Sequence, residues 1–475
     1  MLDKRQFYIN GAWVDPAQPH DFEVIDPSTE EACAVISLGD QADTDAAVAA
    51  ARAAFGSWSK TAPAERKALI ETILDVYKKR SEDMSQAISM EMGAPITMAR
   101  NSQTTSGDWH IEGFLEAFDQ IEWESVVNDK TGERIHRDPI GVVGMITPWN
   151  WPMNQVALKV IPAMAAGCTM VLKPSEIAPL SSIVWAEVMH EAGVPAGVFN
   201  MVNGDGVGVG SQLSEHKDVD MISFTGSTRA GRLITAASVS NLKRVSLELG
   251  GKGANIIFAD ADEKAVIRGA RHCFNNTGQS CNAPTRMLVE RSRYDEAVEQ
   301  AAETAEKTSV APSSEEGRHI GPVVSEVQFN KIQDLIQKGM DEGARLVAGG
   351  LGRPEGLNRG YFVRPTVFAD VNNQMTIARE EIFGPVLSIM PFDSEEEALE
   401  IANDTPYGLT NYVQSGDAGK RLRLARQLRS GMVEMNGKGR GQGAPFGGMK
   451  QSGNGREGGV FGIEEFQEVK SISGC

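Results

Sequence analysis

The sequence predicts an α/β protein made of two parallel-sheet units with a small β appendage. Three observations predict it. Short apolar runs alternate with helical segments from Ile140 to Leu249, and a second alternation of the same kind begins after Gly250. Strand–helix alternation implies a parallel sheet covered on both faces. The stretches Glu122–Asp138 and Phe466–Ile472 read as strands but belong to neither series, and a hairpin reaching to another subunit would accommodate them. At 475 residues the chain has room for roughly two or three domains. The expected division is 1–119 with 140–249 for the first unit, 250–450 for the second, and 120–139 with 451–475 for the appendage.

Phe7–Val14 holds two short strands around Asn10-Gly11, a hairpin dipeptide. Helical periodicity follows over Asp43–Phe55. It recurs over Pro63–Gly93, where Leu69, Ile73, Val76 and Tyr77 share a face, and over about Thr97–Phe118. In the first alternation the strands are Val142–Ile146, Thr169–Leu172, Val198–Val202, Met221–Phe224 and Val245–Leu247. Helices lie near Gln155–Ala166, Leu180–Ala192, Val207–Leu213 and Ala230–Ala237. In the second, the strands are Ala254–Phe258, Arg286–Glu290, Val367–Ala369 and Val386–Met390. The helices there are Ala265–Phe274, Tyr294–Lys307, Glu326–Gly339 and Glu395–Asn403. Open sheets of this kind bind ligands at the carboxyl ends of their strands.

A net charge of −18 argues against nucleic acid and anionic membranes as partners. No run of about 18 apolar residues is present, so no membrane span is expected. Met1–Arg5 is not followed by an apolar core and does not read as a signal peptide. The cysteines Cys33, Cys168, Cys273, Cys281 and Cys475 are scattered and odd in number, which predicts no disulfide framework and a cytoplasmic protein. His272-Cys273 ahead of Cys281 lacks a fourth ligand and paired spacing, so no metal is expected. Cys273 reads as a packed helix residue, Cys33 and Cys168 as inert, and the remaining histidines carry no partner pattern.

Chemistry concentrates in a few segments. Cys281 stands in Gly278-Gln279-Ser280-Cys281-Asn282-Ala283-Pro284, and Glu248 precedes it in Leu247-Glu248-Leu249-Gly250-Gly251. A thiol and a strand-end carboxylate are the two parts covalent acyl chemistry needs: one attacks a carbonyl, the other activates water. Phe224-Thr225-Gly226-Ser227-Thr228-Arg229-Ala230-Gly231 follows a strand and opens a helix. Its exposed N–H groups suit a pyrophosphate, or equally a plain βα turn with a hydroxyl cap. Gly204–Gly210 is glycine-rich but completes no dinucleotide fingerprint, and reads as a turn with at most an adenine contact.

Lys173-Pro174-Ser175-Glu176 ends a strand. Its carboxylate would accept ribose hydroxyls and repel a 2′-phosphate, favouring NAD over NADP, unless the pair is a loop salt bridge. In Thr147-Pro148-Trp149-Asn150-Trp151-Pro152 a rigid turn presents Asn150. It serves either as an oxyanion donor or as an Asx-turn residue. Glu381 in Glu381-Ile382-Phe383-Gly384-Pro385 could hold a ribose beside an aromatic ring, or form a charged turn.

With Pro445-Phe446-Gly447-Gly448-Met449-Lys450-Gln451-Ser452-Gly453 added, these segments resemble the aldehyde dehydrogenase superfamily, in its order and over nearly the whole chain. The resemblance implies a Rossmann-like NAD-binding domain, a catalytic α/β domain and a small oligomerisation arm, assembled as a homodimer or homotetramer. It implies that Cys281 attacks an aldehyde to give a thiohemiacetal. Asn150 and the Cys281 N–H would stabilise the oxyanion, and Glu248 would activate the water that hydrolyses the resulting thioester. Lys159 and Glu457 match positions that relay protons to that glutamate. Lys173 and Glu176 match holders of the adenosine ribose, Ser227 of the pyrophosphate and Glu381 of the nicotinamide ribose. Ile146, Thr147, Pro148, Trp149, Ser175, Gly206, Gly210, Phe224, Thr225, Gly226, Leu249, Gly250 and Phe383 complete the implied cofactor site. Acyl transfer to coenzyme A is disfavoured because Glu248 is present.

Many members of the superfamily carry bulky side chains where Asn154, Gln155 and Leu158 stand, and aromatics in the loop here occupied by Asn436–Ala444, which is glycine-rich and basic. This predicts a wide mouth for long or bulky aldehydes, with Lys438 or Arg440 attracting a distal carboxylate if they do not face solvent. Two other readings use the same residues: a cysteine-dependent esterase, which leaves Lys173, Glu176 and Glu381 without a task, and a non-catalytic scaffold, for which Cys281, Glu248 and Asn150 need not all be present.

Overall fold

In the first alternation the strands assemble as one parallel run. In space the order is Arg244–Glu248, Met221–Thr225, Val142–Ile146, Thr169–Lys173 and Phe199–Met201 in this computed structural model, which describes residues 1–128 and 130–474. Cys475 lies outside the described residues. The first strand in sequence is central and later strands extend to either side, the arrangement of a dinucleotide-binding half-sheet. The order reverses between Val142–Ile146 and Met221–Thr225, so the turns that leave these two strands flank the switch point. The hairpin Phe7–Ile9/Ala12–Val14 extends the far edge, with Tyr8 antiparallel to Met201. Its turn places Asn10 at φ 53° and Gly11 at φ 78°, the double left-handed geometry that an Asn-Gly dipeptide supplies.

The second sheet runs Arg345–Ala348, Thr366–Ala369, Val386–Phe392, Arg286–Glu290, Ala254–Ile257, Thr410–Gln414 and Met432–Met435. Only the first of these strands is antiparallel to its neighbour. The sequence pattern does not reveal Thr410–Gln414, because it is buried throughout yet half polar. Its polar side chains are satisfied inside the sheet: the Asn411 Oδ1 accepts from the Ala254 N–H (2.8 Å), and the Gln414 Nε2 donates to Asn255 (2.9 Å). Leu2–Asp3, Asp21–Asp26 and Glu31–Ser37, also unpredicted, form a separate three-stranded sheet.

Two helical expectations change. Pro63–Gly93 is two helices, Pro63–Lys79 and Ser81–Met92. The break falls at Arg80 (φ −97°, ψ 12°), whose guanidinium bonds Asp83 and Glu187 at 2.6 Å and also pairs with Glu191. The segment before Thr105–Phe118 opens into a π-helical turn at Ala99–Thr104. The two outlying stretches do pair, as a sheet of Gln467–Ile472, Glu133–Pro139 and Glu124–Asn128. Val126, Val127 and Val469 on it are exposed. Helix Gly459–Glu464 returns to the first unit, where Ile463 is buried in the core that includes Phe114 and Val160. Among the described residues no helix is long and apolar enough to cross a membrane.

Glu91 ties two helices of the first unit together. Its carboxylate accepts the N–H groups of Leu180 and of Ser181 (3.0 Å) at the start of helix Leu180–Glu191. Burial nonetheless outweighs the hydrogen bonds from Ser181 and Leu180 and pushes its pKa up to about 7 from 4.5. A carboxyl raised in the folded state stabilises fully below its unfolded pKa, and that stability is lost as pH rises through the folded value, a swing on the order of 3 kcal/mol. From pH 5 to pH 8 the wild type should therefore lose a few degrees of apparent Tm relative to Glu91→Gln. Parallel melting curves for the two proteins would refute this.

Candidate active site

The loop that carries Cys281 joins helix Ala265–Phe274 to strand Arg286–Glu290 and is wound against its own preference. Asn276, Thr277 and Gly278 have φ of 52°, 56° and 72°. Left-handed non-glycine residues cost about 1–3 kcal/mol each and persist only where their surroundings over-determine them. Here a network of amides does so. Asn276 donates from Nδ2 to the carbonyls of Asn150 (3.0 Å) and Gln279 (3.1 Å). Gln103 donates from Nε2 to the Asn150 carbonyl (3.1 Å) and to Asn276 Oδ1 (3.2 Å). Gln279 Oε1 accepts from Val324 (2.9 Å), and Thr277 Oγ1 donates to Gly321 (3.0 Å). A Cβ at Gly278 would lie 2.1 Å from the Gly384 carbonyl oxygen, so the loop sits hard against the Phe383-Gly384 turn.

Asn150 therefore does not close an Asx-turn of its own. Its Nδ2 donates to the Gln279 carbonyl (3.1 Å). An amide nitrogen carries two N–H groups, so one is left for the cavity that Asn150 and Cys281 line together. The Cys281 thiol is pushed well above its ordinary pKa, first by burial and then by the carboxylates of Glu381, Glu248 and Glu457. Cys33, Cys168 and Cys273 are raised to about 12, chiefly by burial.

Glu248 closes strand Arg244–Glu248 and is 2% exposed, with no hydrogen-bond partner among the described residues for either carboxylate oxygen. A Cβ at Gly447 would lie 2.7 Å from its Oε1, so the Pro445–Ser452 turn approaches as only glycine permits. Burial and then Glu457 raise its pKa well above the usual range, outweighing Lys159 and Arg456. Lys159, on helix Pro152–Ala166, forms a buried ion pair with Glu457.

On the cofactor side, the cavity of about 230 Å³ collects Pro148, Trp149, Asn150, Thr225, Gly226, Ser227, Leu249, Gly250, Cys281, Glu381 and Phe383. The segments from the two strands at the switch point thus meet the nucleophile. Ser227 caps helix Thr228–Ala237, accepting from the Ala230 N–H (3.2 Å). Glu381 accepts from the Gly251 N–H (2.9 Å), and a Cβ at Gly250 would lie 2.3 Å from its Oε2. Trp149 and Phe383 meet edge to face at 5.4 Å.

Lys173, Ser175, Glu176, Gly206 and Gly210 lie outside this cavity, beyond the ends of neighbouring strands. The Lys173 Nζ donates to the Gly204 carbonyl (2.6 Å) and to Glu176 (3.2 Å), which links the Lys-Pro-Ser-Glu turn to the glycine-rich one. Thr147 donates its N–H to the Lys173 carbonyl (3.2 Å). Ile146 and Phe224 point into the apolar core and offer a ligand only their backbone. The buried Thr225 Oγ1 has no partner among the described residues, and with the Ser227 helix start and the Glu381 carboxylate it suits a polar, phosphorylated dinucleotide. Gln103, Asn276, Gln328 and Lys331 belong to the site without having been singled out in the sequence; the last two line the cavity from helix Glu326–Asp341, which carries no motif.

The aldehyde dehydrogenase family model matches residues 13–472. The chain belongs to the aldehyde dehydrogenase family. It is 51% identical, over its full length and 99% of the relative, to a 3-succinoylsemialdehyde-pyridine dehydrogenase of a Pseudomonas species. The crystal structure of an aldehyde dehydrogenase from Bartonella henselae is 62% identical, with a TM-score of 0.99 and 100% of both chains covered. A cysteine-to-alanine mutant of aldehyde dehydrogenase C from Pseudomonas syringae, in complex with NAD+ and octanal, is 48% identical, with a TM-score of 0.97 over 98% of this chain and 96% of that one.

In this aldehyde dehydrogenase the glycine-rich loop from Asn436 leads to Phe446, which exchanges two backbone hydrogen bonds with Glu457 (2.7 Å each). Gln442 reaches across to donate to the Trp109 carbonyl (2.7 Å). Arg440 does not face solvent freely. Its guanidinium lies over the rings of Trp109 (5.6 Å) and Phe446 (5.3 Å) and donates to the Ala444 carbonyl. Lys438 is exposed, with no ion pair among the described residues. Asn154 contacts the Nε2 of His110 at 2.8 Å, where burial and the Arg440 charge lower the histidine pKa to about 3, leaving a neutral ring. The sequence assigned His110 no role.

Proposed function

We propose that this enzyme oxidises a long or bulky aldehyde to its carboxylic acid with NAD, in the cytoplasm and as a homodimer or homotetramer. The exposed valines of the three-stranded arm support assembly. The domain division is proposed as a cofactor domain of 1–119 and 140–249, a catalytic domain of 250–450, and an arm of 120–139 with 451–475, from which helix Gly459–Glu464 packs back onto the cofactor domain.

Cys281 adds to the aldehyde carbon. The free N–H of Asn150 and the Cys281 N–H receive the developing oxyanion, a role in which one donor contributes about 10²–10³ in rate. NAD, when bound, supplies the hydride acceptor that turns the thiohemiacetal into a thioester. Glu248 then takes a proton from the water that attacks the thioester carbonyl, and Cys281 leaves as the thiol or thiolate. The Lys159–Glu457 pair offers an exit for that proton. Glu381 and the Lys173–Glu176 pair hold ribose hydroxyls, and Ser227 with Gly226 faces the pyrophosphate. The remaining cofactor positions, Ile146, Thr147, Pro148, Trp149, Ser175, Gly206, Gly210, Phe224, Thr225, Leu249, Gly250 and Phe383, supply backbone and packing.

The single observation behind the substrate reading is the loop Asn436–Ala444, with glycine at every second position from Gly437 to Gly443 beside Trp109. The relative that acts on a succinoyl-semialdehyde of pyridine and the neighbour that binds octanal both take aldehydes with extended tails. Arg440 is committed to its aromatic neighbours, so attraction of a distal carboxylate falls to Lys438. An exposed charge pair is worth about 0–1 kcal/mol, so Lys438→Ala should raise KM for an ω-carboxylated aldehyde by about two- to fivefold and leave octanal unaffected. The test is NADH formation with propanal, octanal, 3-phenylpropanal and an ω-carboxylated aldehyde, for wild type and Lys438→Ala. Equal kcat/KM for propanal and the longer aldehydes would refute the long-substrate reading.

A further inference from the structure

A second cavity of about 370 Å³ begins one residue beyond the nucleophile. Cys281 lines the catalytic cavity and Asn282 lines this one, so adjacent residues of a single backbone separate the two. The volume falls within the range of about 300–1,000 Å³ typical of small-molecule sites. The chamber lies between helix Ala265–Phe274, strand Thr410–Gln414 and the glycine-rich loop, and nothing in the chemistry described above uses it.

Its walls are built. Tyr412 and His272 meet edge to face at 5.2 Å, and the Tyr412 hydroxyl donates to the Asn282 carbonyl, tying the chamber wall to the residue after the nucleophile. Burial lowers the His272 pKa, so that ring is neutral. The terminal nitrogens of Arg268 are taken up by Asp262 (2.8 and 3.1 Å) and Gln414 (2.9 Å), while its buried Nε–H has no acceptor among the described residues. The guanidinium charge is thus answered by Asp262, and the Glu434 carboxyl on the same wall is answered by Arg440, so the chamber keeps no free charge to hold an ionised tail. The chamber is open because its loop wall is glycine: a Cβ on Gly439 would meet no atom within 4 Å.

Resting on the long-aldehyde reading, we infer that this chamber is a specificity subsite for the far end of the substrate, and that it takes a flat, uncharged tail with a hydrogen-bond acceptor, such as an aromatic or heteroaromatic ring. The ring packs against Tyr412 and His272, and the acceptor meets the side-chain amide of Asn282, which makes no hydrogen bond among the described residues. Anionic tails stop at the exposed Lys438 instead. The chamber is thereby distinct from the site of bond-making, and it acts by adding binding energy remote from the reacting carbon.

The test fills the chamber from the loop side. Gly439 has no positive φ, so a side chain is compatible with its backbone. Gly439→Phe, with Gly439→Leu as a smaller plug, is assayed with propanal, octanal, 3-phenylpropanal and 3-(pyridin-3-yl)propanal. The ratio of kcat/KM for the two aryl aldehydes over propanal should fall at least tenfold in Gly439→Phe and less in Gly439→Leu, mainly through KM, with the pyridyl substrate losing most. Unchanged ratios in both soluble variants, against a wild type that prefers the longer aldehydes, would overturn the subsite and leave the long-aldehyde reading standing. A wild type without that preference would overturn the reading itself, and this inference with it.

Discussion

Cys281→Ala is expected to lower NADH formation by roughly 10⁴–10⁶-fold, the range seen when a covalent nucleophile is removed, with apparent Tm and NAD affinity close to wild type. The loop owes its shape to Asn276, Gln279, Gln103 and Asn150, none of which bonds the Sγ, so the variant keeps the cavity and loses only its nucleophile. Among the described residues no other thiol can substitute. Cys168 and Cys273 are fully buried and Cys33 lies in a strand, with all three held at about 12. Iodoacetamide labelling of the peptide that carries residue 281 should be lost in the same variant. In the NAD-free wild type, labelling should climb with pH through the alkaline range, because burial and three carboxylates disfavour the thiolate. A labelling rate that is flat from pH 6 to pH 9 would mean that a neighbour has already activated the thiol. More than about 1% residual turnover in the alanine variant would place the nucleophile elsewhere.

The parts of the site that were legible in the sequence are those where one residue type at a strand end decides the chemistry. Glu248, Asn150 and Lys173 close or follow strands of the first sheet, where ligands collect, and Cys281 and Glu381 stand in the turns that lead into Arg286–Glu290 and Val386–Phe392 of the second. The supporting clamp was not legible, because its members are ordinary amides that act only across long separations: Gln103 meets Asn276 across 173 residues. Its one local trace is the left-handed run at Asn276–Gly278, which no side-chain pattern announces. The fold followed the same rule. Strands with apolar runs were visible, whereas Thr410–Gln414 was hidden by polar side chains whose partners lie on the neighbouring strand and turn. Arg80 hid a helix break for a related reason: the carboxylates of Glu187 and Glu191 that hold it come from a helix about 100 residues away in sequence.

Glu248→Gln is the second large effect, and it should split the reaction in two. Steady-state NADH formation is expected to fall by about 10²–10⁴-fold, the usual contribution of a general base, while the first turnover still releases a burst of NADH close to one per active site. The split follows from the geometry. Among the described residues Glu248 has no hydrogen-bond partner, and the two cations nearby are already engaged, Lys159 by Glu457 and Arg456 by the Gly448 and Gly455 carbonyls. Burial and the Glu457 charge hold its carboxyl above the usual range, so the wild-type steady-state rate should rise with pH as this group ionises. A glutamine cannot titrate, and that limb should vanish from the variant's profile while the burst remains. Loss of the burst together with the steady state would instead put Glu248 before the thioester, as the base that takes the proton from Cys281. The raised thiol makes that a real alternative, and rapid-mixing measurement of the first turnover decides between them.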